Sequence, residues 1–227
     1  MTDCNTQNKA HQDALKRLAA QKAVELVPEG QIIGIGTGST VNCFIEALAQ
    51  SSKKIKGAVS TSNATTKLLE KYEIPVFALS EVHSLPIYFD GADEINHSLQ
   101  MIKGGGGALF QEKLVASSSE IFVCMADQSK YVSRLGKFPL PIEVLPAARS
   151  FVARHLLKLG ISPELRVGFI TDNGNSILDC PNFYIDEPLQ TEKAINEIVG
   201  VIECGIFARR RADKLVLARE SGVEILS

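Results

Sequence analysis

Lys103 and Glu112 flank four consecutive glycines, Gly104 to Gly107. Such a run weakens a fold unless the backbone there must approach something closely. Without Cβ atoms its amides can face an oxygen-rich ligand, and Lys103 supplies a cation at one end. Glu112, about one helical turn past the glycines, offers a carboxylate beside the same cavity. An anion-binding backbone next to a candidate base points to chemistry on an oxygenated, phosphorylated small molecule. A helical glutamate is more often simply solvated. A lysine and a helix N-terminus also lower a carboxylate pKa, whereas a base poised near neutrality wants desolvation. Partial burial of Glu112 would reconcile the two.

Three further segments carry chemistry. Gly34-Ile-Gly-Thr-Gly-Ser-Thr40 has Ser39 where GxGxxG needs glycine, and it lacks the GK[ST] ending of a P-loop. It leaves a strand-to-helix turn with free amides, including that of Gly38, and the hydroxyls of Thr37, Ser39 and Thr40, which suits a phosphate monoester. An ordinary helix cap is the alternative, but the glycines and hydroxyls crowded into this turn exceed what a cap needs. Asp90-Gly91-Ala92-Asp93-Glu94 follows an apolar run, at the strand end where open α/β sheets bind ligands. Asp90 and Asp93 there suit hydrogen bonds from sugar hydroxyls or proton transfer in ring opening. A solvated turn is equally rich in aspartate, and a magnesium site is less favoured because no nucleoside triphosphate motif accompanies it. Lys130 is either a second cation for the phosphate or a surface lysine.

The elements that must hold these groups alternate. Helical spacing over Asp13–Val27 precedes an apolar strand at Gln31–Gly36 and a helix through Val41, Phe44, Ile45 and Leu48. Strands are expected at Gly57–Val59, Pro75–Ala78, Leu85–Phe89 and Ile121–Met125, with helices at Ala64–Tyr72 and Leu109–Ser118 between them. That alternation predicts right-handed crossovers and a mostly parallel sheet. After Lys137–Pro141 the rhythm changes. A strand at Ile142–Leu145, a helix at Ala147–Leu159, strands at Arg166–Ile170 and Ser176–Asp179 around the turn Asp172-Asn-Gly-Asn175, a helix at Thr191–Ile198 and a strand at Val201–Phe207 give βαββαβ, the order of a ferredoxin-like unit. Lys214–Ala218 is placed to return to the first sheet.

Composition sets the outer bounds. The 227 residues are 45% hydrophobic, enough to bury one large core or one with a smaller second. A net charge of −2 offers no global attraction to nucleic acid or anionic membrane. No membrane-spanning apolar run occurs, and the polar stretch Met1–Gln12 lacks the apolar core of a secretory signal, so the chain reads as cytoplasmic. Cys4, Cys43, Cys124, Cys180 and Cys204 are odd in number and widely spread, and His11, His83, His97 and His155 show no ligand spacing. Neither a disulfide framework nor a metal site is expected, and Cys43 and Cys124 read as small core hydrophobes.

Taken together, Gly36-Thr-Gly-Ser-Thr40, Asp90–Glu94, Lys103-Gly-Gly-Gly106 with Glu112, Ala126-Asp-Gln-Ser-Lys130, Gly136–Pro141, Glu143-Val144 and Thr171–Asn175 resemble the type A ribose-5-phosphate isomerase family, in the same order, from about Leu15 to Ala218. The resemblance implies an α/β fold: a Rossmann-like catalytic domain at 1–135 and 208–227, and an inserted ferredoxin-like α+β domain at 136–207 used in homodimer or homotetramer contacts. It implies interconversion of D-ribose 5-phosphate and D-ribulose 5-phosphate through a cis-enediolate in the non-oxidative pentose phosphate pathway, with no metal or other cofactor. Glu112 would be the base; Lys103 and the Gly104, Gly105 and Gly106 amides would stabilise the enediolate; and Asp90, Gly91, Ala92 and Asp93 would line the sugar, with Asp90 and Asp93 also catalytic in ring opening. Thr37, Gly38, Ser39, Thr40 and Lys130 would hold the phosphate, with Lys16 a weaker candidate. Arg209-Arg-Arg211 stands where an Arg-Gly pair is expected, and Gly107 extends the glycine run. A sugar-phosphate sensor and a coenzyme A transferase with a glutamate nucleophile are the rival readings.

Overall fold

The computed structural model describes residues 2–227, with side chains from Lys9 onward. The Cys4 side chain therefore lies outside the described residues. In chain order the elements are α1 (Thr2–Val24), β1 (Ile32–Ile35), α2 (Ser39–Gln50), β2 (Gly57–Ser60), α3 (Asn63–Lys71), β3 (Leu85–Asp90), β4 (Glu94–Ile95) and β5 (Met101–Ile102). Then follow α4 (Leu109–Ser117), β6 (Ser119–Asp127), β7 (Leu140–Val144), α5 (Arg149–Lys158), β8 (Glu164–Leu165) and β9 (Ser176–Cys180). The chain ends with α6 (Pro188–Asn196), β10 (Val201–Cys204), β11 (Ile206–Phe207), β12 (Lys214–Arg219) and β13 (Gly222–Leu226). Two compact units emerge, one from the chain up to Gly91 with Val115–Tyr131 and Ala212–Ser227, the other from Ala92–Leu114 and Val132–Arg211. The sequence-derived boundaries left residues 92–114, 132–135 and 208–211 with the first domain; compactness groups them with the second.

The first unit carries a sheet of order β13-β12-β6-β3-β1-β2, parallel except for β13, which forms a hairpin with β12. Its inner strands are nearly all buried, as a sheet covered on both faces requires. Ala19, Ala20 and Ala23 let α1 lie close in the core cluster, and Phe44 of α2 stacks on Phe89 of β3 at 4.6 Å between ring centroids. The register pairs Ile35 with Phe89, and Phe89 with Val123, so these parallel strands present their C-terminal ends on one edge. Gly36, just past β1, has no alternative there: a Cβ would lie 2.0 Å from the Asp90 carboxyl carbon.

In the second unit, β7-α5-β8-β9-α6-β10 builds an antiparallel sheet of order β10-β7-β9-β8, around a core containing Leu140, Ile142, Val144, Val152, Leu156 and Ile195. A three-stranded sheet, β11-β5-β4, launches the glycine run toward α4. Buried Lys113 of α4 ties these parts together. Its Nζ lies 2.8 Å from Glu192 Oε1 and 2.9 Å from Glu203 Oε1, and it donates to the carbonyls of Cys204 and Ile206 at 2.9 and 2.6 Å. Burial pulls the ammonium toward its neutral form, but the Cys204 sulfur, Glu203 and Glu192 more than offset that and hold its pKa above the ordinary 10.5.

Local departures from the sequence reading have physical causes. Helix α1 begins at Thr2 rather than Asp13, because residues 2–12 carry no apolar periodicity to reveal it. Pro75–Ala78 forms only a bridge, Ala58 to Val76, not a strand. Arg166–Ile170 is mostly loop: β8 stops at Leu165, and Gly168 has φ +74°. Val201–Phe207 splits at Gly205, where a Cβ would meet the Lys103 carbonyl oxygen at 2.3 Å, so β10 and β11 serve different sheets.

Replacing Lys113 by methionine strands the Glu192 and Glu203 carboxylates, and the unfolding free energy measured in urea should fall by about 3–5 kcal/mol. The folded pKa is raised, so the lysine's stabilisation is fully present below about pH 10.5 and is lost as pH rises through the higher folded value; wild type and variant should therefore converge only in strong alkali. Gly36→Ala should cost about 1–3 kcal/mol through overpacking against Asp90. Gly91→Ala, whose new methyl would make only ordinary contacts at 3.8 Å, should change stability by less than about 0.5 kcal/mol.

Candidate active site

Glu112 occupies the first turn of α4, and its side chain is 5% exposed. Lys103, its side chain 3% exposed, leaves β5 with its amide bonded to the Gly205 carbonyl, and its Nζ reaches 3.2 Å from Glu112 Oε2. The ring of Phe207 lies beneath two ammonium groups, 5.6 Å from Lys103 Nζ and 4.7 Å from Lys113 Nζ. The base expected from the sequence is thus both desolvated and charge-compensated. Burial disfavours a bare carboxylate and the adjacent lysine restores it. When Glu112 takes up a proton it becomes neutral, and the Lys103 ammonium beside it is then available to another anion.

The glycine run approaches Asp93. The Gly105 amide donates to Asp93 Oδ2 at 2.8 Å, and a Cβ on Gly105 would sit 2.7 Å from Oδ1. One of the three amides expected to face the reacting oxygens is therefore engaged by this half-buried carboxylate. Gly106 is exposed, and the Gly107 amide closes a turn onto the Gly104 carbonyl at 2.9 Å. Ala92 precedes Asp93, whose own amide pairs with the Ile102 carbonyl at 2.9 Å.

The remaining expected residues belong to the first unit, at the C-terminal edge of its parallel strands. Asp90 is fully buried; its Oδ1 accepts from the amides of Thr37 at 3.1 Å and Gly91 at 2.7 Å, and its Oδ2 accepts from the Tyr88 hydroxyl. The carboxylate ties the end of β3 to the turn after β1. Helix α2 starts at Ser39 with Gly38 at its cap, φ +118°, and no side-chain capping bond. Ser39 and Thr40 are therefore not spent on capping; their hydroxyls sit at an open helix N-terminus. The Thr37 hydroxyl instead joins an internal cluster with Thr61, Ser62 and Thr65 at 3.3, 2.5 and 2.9 Å. Lys130, half-buried, sits in a short turn after β6 that Asp127 caps through the Ser129 amide at 2.9 Å. Lys16 pairs with Asp13 at 3.0 Å on α1.

Some participants were missed. Tyr88 lies two residues before Asp90 on the same strand, so the period of two placed both on one face and was a usable signal. Arg166, Asp179 and the Lys113 partners come from distant segments and left none. Among the described residues no group of three His, Cys, Asp or Glu could hold a metal ion, and no helix is long and apolar enough to cross a membrane. Cys124, Cys180 and Cys204 are buried free thiols, while Cys43 is half-buried. Burial pushes the Cys180 and Cys204 thiols up to about 12, which keeps them un-nucleophilic.

Comparison with known proteins shows which family the chain is similar to. The family model described as ribose 5-phosphate isomerase A (phosphoriboisomerase A) matches residues 57–222. A ribose-5-phosphate isomerase A from Neisseria meningitidis is 62% identical over 215 residues, 95% of this chain and 96% of that one. The crystal structure of ribose 5 phosphate isomerase A from Neisseria gonorrhoeae superposes with a TM-score of 0.93 at 62% identity, covering 95% of this chain and 96% of the other. A further solved D-ribose-5-phosphate isomerase, in complex with phospho-erythronic acid, gives a TM-score of 0.90 at 37% identity over 94% of this chain and 98% of its own. Fold and identity across nearly the whole length converge, and the chain belongs to the ribose 5-phosphate isomerase A family.

Proposed function

We propose that this chain interconverts D-ribose 5-phosphate and D-ribulose 5-phosphate through a cis-enediolate, as an aldose–ketose isomerase of the pentose phosphate pathway. The observation that carries this reading is the buried Lys103–Glu112 pair at the end of the glycine run. Glu112 removes the proton from C2 and returns it to C1, while the hydroxyl proton of O2 passes to O1 as the C1 carbonyl becomes a hydroxyl and C2 becomes the carbonyl. Lys103 and the glycine-run backbone stabilise the charge that develops on the enediolate oxygens. Asp93, half-buried and held by the Gly105 amide, is the carboxylate suited to carry a proton during ring opening. Asp90 acts through the Thr37 and Gly91 amides it fixes. The phosphate falls to Thr37–Thr40 at the N-terminus of α2 and to Lys130, where backbone dipole and ammonium both favour an anion. No nicotinamide is required, because the substrate exchanges a proton within itself.

The relative solved with phospho-erythronic acid supports the same assignment. That compound is a phosphorylated four-carbon acid, and its carboxylate carries the planar, delocalised negative charge of an enediolate. The chain acts in the cytoplasm and assembles as a homodimer or homotetramer through its second unit. Supporting that assembly, Leu157, Val167, Ile170 and Val199 of this unit are apolar and 58%, 87%, 73% and 78% exposed.

Formation of ribulose 5-phosphate from ribose 5-phosphate is the direct assay. In it Glu112→Gln, scored per folded molecule, should lose at least about a hundredfold in kcat, the scale of a positioned base; near-normal turnover would remove Glu112 from the mechanism. Ser39→Ala with Thr40→Ala, or Lys130→Met, should mainly raise KM, by about 1–3 kcal/mol of lost charge-assisted hydrogen bonding. The phosphate is remote from the reacting carbons, so its contacts are nearly equal in ground and transition states. Wild type should strongly prefer ribose 5-phosphate over ribose, and these variants should lose most of that preference. Variants that keep it in full would place the phosphate elsewhere.

A further inference from the structure

We infer that Arg166, clamped by Asp179, is a positioning residue that sets the direction of the glycine-run amides for the isomerisation; this rests on the reading above. The Arg166 guanidinium is gripped from one side by the Asp179 carboxylate, Nε to Oδ2 at 2.7 Å and Nη2 to Oδ1 at 2.5 Å. This is the two-pronged geometry that arginine alone among cations can make. On its other side Nη1 donates to the Gly104 carbonyl at 3.3 Å and to the Gly105 carbonyl at 3.2 Å.

Those two carbonyls belong to the peptide units whose N–H groups are those of Gly105 and Gly106. A trans peptide is planar, and its C=O and N–H point in opposite directions. Drawing both oxygens toward one guanidinium therefore turns both N–H groups the other way. The Gly105 N–H confirms the sense of rotation, because it donates to Asp93 Oδ2 at 2.8 Å. The Gly106 N–H is set toward that same side, where the reading above needs a donor for the enediolate.

Glycine peptides rotate more freely than any others; the Gly107 amide holds the Gly104 carbonyl from within the run, and Arg166 adds a hold on both carbonyls. The loop after β8 supplies a further one. The Phe169 ring lies 5.3 Å from the Arg166 guanidinium carbon, and a Cβ on Gly107 would come within 2.2 Å of it. Gly107 extends the glycine run because an aromatic buttress occupies the space of a side chain. Neither contact touches substrate; both act through the backbone.

Arg166 and Asp179 also line an open cleft with Gly105, Phe138, Pro139, Glu164 and Pro181. A small cation can enter it, which makes chemical rescue feasible. The experiment measures ribose 5-phosphate turnover of wild type, Arg166→Ala, Arg166→Lys and Asp179→Asn. Each is assayed with and without guanidinium at tens of millimolar, far below denaturing levels, and with matched sodium chloride as the ionic-strength control. Arg166→Ala should lose about tenfold to a hundredfold in kcat, with KM changed less than about threefold, since the amides matter mainly in the transition state. Guanidinium should restore at least about a fifth of the lost rate, and sodium chloride should not. Arg166→Lys should stay impaired, because an ammonium cannot hold the carboxylate and both carbonyls at once. Asp179→Asn, which keeps the shape, should show a smaller kcat loss.

A wild-type kcat in Arg166→Ala, or a folded, impaired Arg166→Ala that guanidinium does not revive, overturns the inference. If Arg166→Ala does not fold, Asp179→Asn decides: an unchanged kcat rejects the role. Wild-type protein that does not isomerise ribose 5-phosphate would instead defeat the underlying reading. Arg134→Ala, which breaks an exposed pair with Asp186, should match wild type under every condition.

Discussion

A carboxylate that must take a proton from carbon cannot be left hydrated, and it cannot be buried alone. In the proposed mechanism the Lys103–Glu112 pair at 3.2 Å, with both side chains at most 5% exposed, resolves that conflict. Breaking a buried pair by removing one member typically costs several kcal/mol, because the remaining charge has lost both water and partner. The surrounding second unit is arranged to keep the two groups together. Lys113, one residue along α4, is locked to α6 and to β10 and β11 by two carboxylates and two carbonyls, which fixes the rotation of the helix that carries Glu112. Gly205 lets β11 run against the Lys103 backbone, and Phe207 lies under both ammonium groups. Behind this buried ion pair the structure builds a second buried network around Lys113.

In the proposed function the first unit answers a different demand. A phosphate needs an open helix N-terminus and fixed amides rather than a buried charge. Gly38 caps α2 without using a hydroxyl, and Asp90 disciplines the turn by accepting from Thr37 and Gly91. Asp90 can approach so closely only because Gly36 has no side chain. Glycine thus serves two ends in this chain: at Gly36 it admits a carboxylate, and at Gly105 it brings an amide to one.

Much of this was legible in the sequence, and for a consistent reason. Local signals survive in one dimension: the apolar runs of β1, β3 and β6, the strand-to-helix turn at Gly36–Thr40, and the glycines followed by Glu112 on α4. Alternation of those elements carried the mostly parallel sheet, and the family resemblance carried the isomerase assignment, which the 62% identity over 95% of the chain supports. What stayed hidden was set by tertiary partners. The arginine clamp joins residues 166 and 179 to glycines some sixty positions earlier. Strand Val201–Phe207 looked continuous because the backbone that Gly205 must clear belongs to Lys103. The loop at 166–170 looked like a strand because Val167, Phe169 and Ile170 are apolar; Val167 and Ile170 are in fact exposed.

The account treats Lys103 and Glu112 as one functional unit, and a double-mutant cycle tests that claim most directly. Turnover of ribose 5-phosphate would be measured for Lys103→Met, for Glu112→Gln and for the two combined. Groups that act as a unit are strongly non-additive, since once either is gone the other has little left to contribute. The double variant should therefore be no slower than the worse single variant, within about threefold. Losses that multiply across the cycle would show two independent roles and contradict the account.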